Sequence, residues 1–438
     1  MVVKSREPFI IVGAGIFGAS TALELIIKYP HCKVFLVDPD RYADPTSASH
    51  DISKIVRYDY DQSRLIVMAR KAMEKWHNDP LYSVHFHKVG MYRAQPDTFN
   101  EDSLAAYRKL GFDTKSKWMT LEEVRAKSTV FAAANFGDLE KVMYNPDFGY
   151  VEAEAALRSV REEAIRRGVE PVVGEVKKLS FGSDNDCTGV VMSDGEEIRG
   201  TVMLCTGART APLLIDSAPD REELHAKHRL TATGAMSFTV RLEGELKARF
   251  DADPVPVFKN RVPGVMGELV SYRDGQLKLN CDACYTHKTQ HALTNETISL
   301  VPQVPNLTRW AKNPKEIPEN IKQLARRTLV GLCGNDLAGC QIEEYRFCWD
   351  SYTPNHDFII SAHPRCGNLY IATGGSFHGW KFLPVIGEYT VGVLDGTLDP
   401  SYRDMWAWDR GADYPRANTT YEVSGDLGDI WAIGSRKR

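Results

Sequence analysis

Gly13, Gly15 and Gly18 stand in the spacing Gly-x-Gly-x-x-Gly, directly after the apolar run Pro8 to Val12 and directly before a stretch with apolar residues at helical spacing. Glycines so placed let the backbone turn tightly and approach a pyrophosphate, whose charge then sits at the positive end of the helix, where Ile16 and Phe17 fall. About 20 residues further on, Lys33 to Asp38 reads as a second buried strand ending in an acid, and Asp38 can accept hydrogen bonds from a ribose diol. The pattern implies dinucleotide binding. By itself it leaves FAD and NAD open, while an acid at the strand end disfavours a 2′-phosphate.

Other chemically able residues carry less. Lys54 and Arg57 are cations three apart just beyond the nucleotide unit, a spacing that base rates assign to a solvated face. Cys281 and Cys284 have CxxC spacing but no second pair or histidine set, so no metal site is expected. His85 and His87 flank Phe86 in a strand-like run and read as structural. The nine cysteines are odd in number and scattered, which fits a reducing compartment better than a disulfide framework.

These residues must be positioned by a sizeable scaffold. The chain has 438 residues, enough for two or three domains, with 43% apolar and 26% charged residues, as in folded soluble proteins. Its formal net charge of −4 gives no pull toward nucleic acid or anionic lipid, and neither partner is expected. Lys4 and Arg6 before Phe9 to Ile16 imitate a signal peptide, but glycines interrupt the run and it continues into a patterned helix. No run of about 18 uninterrupted apolar residues suggests a membrane span. The end Gly434-Ser-Arg-Lys-Arg438 differs from a Ser-Lys-Leu type peroxisomal address, so a cytoplasmic location is expected, with a peroxisomal one as the alternative.

Further along, the spacing predicts helices from about Arg64 to Trp76, over Ala153 to Arg167 and over Ile317 to Val330, with residues 104 to 135 mixed and mostly helical. Residues 170 to 202 read as an antiparallel meander and 230 to 285 as alternating strands. Two further buried strands, Thr201 to Leu204 and Asn368 to Thr373, each run into a glycine turn. Strand-glycine-helix units so far apart predict a nucleotide domain assembled from separated segments around an inserted domain. Residues 401 to 438 are expected to form an irregular tail on the surface.

Several segments together resemble the monomeric sarcosine oxidase and fructosyl amino acid oxidase (amadoriase) family of flavin amine oxidases, in its fungal branch. They are the glycine motif, Ser49-His50-Asp51-Ile52-Ser53-Lys54-Ile55-Val56-Arg57, Leu277-Lys278-Leu279, Cys348-Trp349-Asp350 through Asp357-Phe358-Ile359-Ile360, and Gly374-Gly375-Ser376-Phe377-His378-Gly379-Trp380-Lys381. The likeness spans nearly the whole chain. It implies FAD in place of NAD, and an α/β plus α+β fold: a discontinuous Rossmann-like FAD-binding domain, like that of glutathione reductase or D-amino-acid oxidase, with an inserted antiparallel-sheet substrate domain. The expected division is 1–85, 146–225 and 341–400 for the first, 86–145 and 226–340 for the second, and 401–438 for the tail.

The resemblance also implies roles. Cys348 matches the cysteine joined covalently to the flavin, and Ser49, Ser53, Lys54, Gly375 and Gly379 fall in cofactor-binding segments. Lys278 matches the lysine that promotes reaction with O₂, where a fixed cation stabilises developing superoxide. Lys381, also counted with the cofactor segments, matches the lysine that grips a substrate carboxylate, and Arg57 the arginine opposite it, a clamp that orients the Cα–N bond for hydride transfer. His378 stands where the amadoriase branch has an arginine for its sugar-linked substrate. Asp282 looks more like the amadoriase pattern, and Asp350 could pair with a protonated amine or be a satisfied turn acid. The expected activity is oxidation of a secondary, N-substituted and possibly N-methyl, amino acid by a monomer, with O₂ as acceptor and imine and peroxide as products. The iminium could then cyclise, as in fungal secondary metabolism. Fructosyl amino acids, saccharopine or pipecolate are alternative substrates, and an NAD-dependent dehydrogenase or a flavoprotein without turnover the alternatives of another class.

Overall fold

The fold was analysed in a computed structural model, which describes residues 7–41, 46–303, 308–312, 317–411 and 421–430. Phe9–Val12 is buried along its whole length, as a strand with partners on both edges and layers on both faces must be. It lies between Val34–Asp38 and Thr201–Leu204, parallel to both. Glu170–Val173 extends one edge, and Leu369–Thr373 followed by the antiparallel Ile359–Ala362 extends the other, giving a six-stranded sheet. Its strands come from three stretches far apart in the chain. Val176–Phe181, Cys187–Met192 and Glu197–Arg199 form the small antiparallel meander beside it.

Gly13 turns the chain from the first strand into the helix Ile16–Lys28 with a φ of +93°, and an added Cβ would sit 2.5 Å from the Cys205 carbonyl oxygen. Gly18 closes the same corner, where any Cβ would collide with the Gly13 carbonyl oxygen. Such a corner admits only glycine. The helix Ile386–Asp395 lies along Ile16–Lys28, joined by Thr21 Oγ1 to Thr390 Oγ1 at 2.6 Å and by the Gly387 amide donating to Ser20 Oγ at 2.8 Å.

The larger, ten-stranded sheet is mixed and mainly antiparallel. Its centre is Ile342–Tyr352, Thr231–Arg241, Gln276–Thr286 and Gly267–Arg273, continued by Val257–Asn260 and Met91–Ala94 to Lys141–Asn145 and Lys117–Thr120. The helix Glu319–Cys333 packs on it. Ser53–Val56, Gly149–Glu152 and Phe86–His87 make a separate three-stranded sheet. Ile342–Tyr352 falls within the 341–400 segment expected in the nucleotide unit, yet it is a strand of the large sheet, and the chain passes to the parallel sheet only at Ile359.

The C-terminal stretch differs from an irregular surface tail. Pro400–Met405 is helical, Trp406 and Trp408 are buried, and Glu422–Asp426 adds to the large sheet parallel to Gln276–Thr286. The reason is the apolar surface of the tryptophans, with Trp406 Nε1 donating to Asp357 Oδ1 at 2.8 Å. Residues 412–420 and 431–438, including the terminal Gly-Ser-Arg-Lys-Arg, lie outside the described residues. No helix among the described residues is long and apolar enough to cross a membrane.

At Gly387 an added Cβ would run into the Ser20 carbonyl oxygen of the facing helix. Gly387→Ala is therefore expected to cost about 1–3 kcal/mol, read as a lowered thermal midpoint. An unchanged midpoint would show that the two helices separate freely.

Candidate active site

A cavity of about 810 Å³ opens where the parallel sheet meets the large one, lined from Gly13 and Asp38 at one end to Lys381 and Tyr421 at the other. Such a volume lies high in the range of about 300–1,000 Å³ usual for small-molecule sites. Gly13, Gly15, Ile16, Phe17, Asp38, Ser49, Lys54, Arg57, Cys348, Asp350, Gly375, His378, Gly379 and Lys381 all line it. Gly18, Ser53, Lys278 and Asp282 do not. Gly18 packs on the turn, and Ser53 Oγ is bonded to Ser271 Oγ at 2.7 Å.

At the nucleotide end, Ile16 N donates to Ser49 Oγ at 3.1 Å and Ala14 N to Asp38 Oδ2 at 2.6 Å. The first-turn amides of Ile16–Lys28 have no intrahelical acceptors; that of Ile16 is taken by Ser49 Oγ, and Gly15, Ile16 and Phe17 line the cavity at this helix start. A side chain at Gly15 would meet Ser49 Oγ at 2.6 Å, so Gly15 contributes backbone alone to this wall.

The middle of the cavity is organised by Asp51, which is buried and ringed by cations. Lys54 Nζ lies 2.8 Å and Lys278 Nζ 3.3 Å from its Oδ2, and Arg346 NH1 lies 3.9 Å from its Oδ1. Burial works against the Asp51 charge, but Lys278 and Lys54 outweigh it and hold the carboxyl well below its ordinary range. Lys278 also donates to the Ser53 carbonyl at 3.3 Å, and burial lowers its ammonium. Lys54 keeps its charge through Asp51 despite burial and donates to Cys348 Sγ at 3.5 Å. Cys348 is thus the sulfur at the cavity wall with a cationic donor beside it.

Beyond Cys348 lies a second charged group. Arg57 donates to Asp59 Oδ1 at 2.8 Å and to the Asp59 carbonyl, and Arg93 Nε donates to Asp59 Oδ2 at 2.9 Å. Burial opposes the Arg57 charge and Asp59 more than restores it. The guanidinium lies over the Tyr60 ring, 4.8 Å from its centroid, while Lys381 Nζ reaches the Tyr60 hydroxyl at 2.8 Å and the His378 carbonyl at 2.7 Å. Both basic side chains therefore meet on one phenol. His378 is buried and stacked on Phe358, and burial followed by Lys381 keeps it far below its usual range, so it is neutral.

Asp350 is occupied by backbone. Its Oδ2 accepts from Phe377 N at 2.9 Å and its Oδ1 from Ser351 N at 2.8 Å, which fixes the Gly374–Lys381 loop as a turn acid does. Asp282 sits behind the cavity wall, with Lys259 Nζ 3.3 Å from its Oδ1 and Arg261 Nε 3.7 Å from its Oδ2. Its carboxyl is raised by burial and by Glu268, which shares the same lysine. Lys278 likewise faces Asp51 and stands just outside the lining.

The cavity also contains residues that motif reading missed. Glu268, Asn280, Ser237 and Tyr421 form a polar wall: Asn280 Nδ2 and the Tyr421 hydroxyl donate to Glu268 Oε2 at 2.8 and 3.0 Å, and Ser237 Oγ donates to Asn280 Oδ1 at 2.8 Å. Glu268 and Asn280 are register partners across adjacent strands. A buried acid within an apolar strand was the only signal available for Glu268, and Tyr421 had none.

The profile of the family described as FAD dependent oxidoreductase matches residues 9–392. The chain belongs to that family. As a FAD dependent oxidoreductase it has residues that fit the cofactor: the glycine corner and helix N-terminus for the pyrophosphate, Asp38 for the ribose, and the wall of Lys54, Cys348 and the Gly374–Lys381 loop for the ring system. The L-saccharopine oxidase of Schizosaccharomyces pombe is 26% identical over 426 residues, covering 91% of this oxidoreductase and 92% of that protein. The amino acid oxidase fsqB of Aspergillus fumigatus is 25% identical over 470 residues, covering 88% and 92%. In fold, a fructosyl peptide oxidase from E. terrenum superimposes with a TM-score of 0.82 at 22% identity, over 97% of this oxidoreductase and 98% of that chain. The chain is accordingly a FAD-dependent amine or amino acid oxidase.

Behind His378, Asp357 is buried with Oδ1 accepting from Phe358 N and Trp406 Nε1, both at 2.8 Å, while Oδ2 has no partner. Burial pushes its carboxyl up to about 6. An unfolded aspartate titrates near 3.9, so the native state keeps this proton preferentially; the stabilisation is full below about pH 4 and is lost as pH rises through about 6. Asp357→Asn should raise the thermal midpoint at about pH 8 and leave it nearly unchanged at about pH 4. A variant less stable than the wild type at the higher pH would contradict this.

Proposed function

We propose that this oxidoreductase acts on a secondary amino acid, removing hydride from the carbon next to nitrogen. The observation that carries this is the meeting of Arg57 and Lys381 on Tyr60 at the cavity wall. Arg57 is always charged, and Lys381 is buried with no carboxylate paired to it among the described residues. Arg57 and Arg93 share the single carboxylate of Asp59, which leaves positive charge beside Lys381 that a substrate carboxylate balances. FAD held along this wall would supply the hydride acceptor and the route for the electron pair to O₂, with imine and hydrogen peroxide as the products.

Cys348 is the proposed point of covalent attachment, supported by its position at the wall and by the Lys54 ammonium 3.5 Å from its sulfur. Lys278, buried against Asp51, is the cation assigned to the charge that develops on O₂. The polar wall of Ser237, Asn280, Glu268 and Tyr421 supports a substituent on nitrogen larger than methyl, with hydrogen-bonding groups of its own. That wall also leaves fructosyl amino acids and saccharopine-like compounds as second readings. Peroxide release across a panel of N-substituted amino acids separates them.

Two variants test the reading. Arg57→Met should raise KM for an N-methyl amino acid about 10–100-fold, the worth of a charge-assisted hydrogen bond at about 1.5–3 kcal/mol, and spare the corresponding amine without a carboxylate. Equal losses for both compounds would remove the carboxylate site. Acid-denatured wild type should stay yellow, whereas Cys348→Ala should release its flavin on the same treatment; colour washed freely from the wild type would refute attachment.

A further inference from the structure

Lys381 is held in a way that a simple carboxylate clamp does not require. The His356 carbonyl lies 2.7 Å from His378 Nε2, and a carbonyl can only accept, so Nε2 carries the proton of the neutral ring. Nδ1 is then an acceptor, and the Tyr60 hydroxyl 3.1 Å away must donate to it. With its own proton so used, the Tyr60 oxygen accepts from Lys381 Nζ at 2.8 Å. The His378 carbonyl accepts a second Nζ–H at 2.7 Å. Two N–H bonds are thereby fixed, and the third tetrahedral direction of Nζ is left for the cavity that Lys381 lines.

The charged and titratable groups facing Lys381 are Arg57, Asp59 and Tyr60 from the chain after Ser53–Val56, Arg93 from Met91–Ala94, Glu268 from Gly267–Arg273, and His378 from its own loop. Asp59 is shared by the two arginines and Glu268 is bonded to Lys259, so neither acid is paired with Lys381. Burial, then Arg57, drives its ammonium well below the ordinary lysine range.

We propose that Lys381 is the proton acceptor for the substrate amine: in the free enzyme its Nζ is uncharged, two N–H bonds are held by Tyr60 and the His378 carbonyl, and its lone pair points into the cavity. This deepens the reading above and rests on it. An amino acid arrives as a zwitterion whose ammonium cannot release hydride from the adjacent carbon. Its N–H bond breaks, an Nζ–H bond forms, and the electron pair stays on the substrate nitrogen. No oxidant or reductant takes part. Lys381, now cationic, pairs with the substrate carboxylate beside Arg57, so one binding event both grips the substrate and activates it.

Lys381→Arg separates the two roles, since arginine keeps the charge but cannot accept a proton. In anaerobic rapid mixing with an N-methyl amino acid, the variant should keep its apparent affinity within a few-fold. Its bleaching of the flavin band at neutral pH should fall about 100-fold or more, and recover as the pH approaches the amine's own pKa near 10. Independently of turnover, calorimetry of propionate binding to the holoenzyme in buffers of different ionisation enthalpy should show about one proton taken up per ligand in the wild type and none in Lys381→Arg. Tyr60→Phe, which removes one acceptor of Nζ–H, should move the acid limb of the wild-type profile to lower pH. Wild-type rates and pH profile in Lys381→Arg, or an unmoved limb in Tyr60→Phe, would overturn the proposal. Absence of bleaching by any amino acid in the wild type would instead defeat the function itself.

Discussion

Everything in this site depends on keeping positive charge out of water. Asp51 and Asp59, eight positions apart on either side of the short strand Ser53–Val56, each stand among several buried cations: Lys54, Lys278 and Arg346 around the first, Arg57 and Arg93 around the second. A charge desolvated without a partner costs several kcal/mol or more, so these two carboxylates decide which cations can exist at the cavity wall and which way they point. Asp51 turns Lys54 toward Cys348 and draws Lys278 behind the wall. Asp59 fixes Arg57 over Tyr60. Lys381 is the basic side chain that neither carboxylate takes, and its chemistry follows from that.

The two sheets divide the labour. The parallel sheet ends in glycine corners and helix amides that suit a pyrophosphate, and the large sheet supplies side chains in register, Glu268 opposite Asn280 and Ala235 opposite Cys348. Cys348 lies on a strand of the large sheet, while the chain a few residues later becomes Ile359–Ala362 of the parallel one. One continuous segment therefore spans from the sulfur to the nucleotide unit. The Gly374–Lys381 loop crosses back, anchored by Asp350 from the large sheet.

What could be read from the sequence was what is local. The glycine corner, the buried strand Phe9–Val12, the acid at Asp38 and the helix Ala153–Arg166 each advertise themselves through spacing within a few residues, and resemblance over longer segments brought Arg57, Cys348 and Lys381 to attention. The rest depends on pairings between distant strands. Whether Lys278 or Asn280, two apart on one strand, meets the cavity depends on a side-chain direction near a register shift, and Asp282 was drawn away by Lys259 and Arg261. Tyr421 and the strand after it carried no pattern at all, because their place is fixed by the edge they join.

That last strand has a bearing on when the protein becomes competent. Tyr421 reaches the cavity from far along the chain, and its hydroxyl completes the hydrogen bonding of Glu268. Synthesis on the ribosome proceeds from the other end, so the nucleotide corner emerges early and the polar wall closes only once Tyr421 has followed. Cys348 and the Gly374–Lys381 loop also emerge late, so a half-made chain carries the glycine corner while still lacking both the wall for a flavin ring and the chamber that selects a fuel.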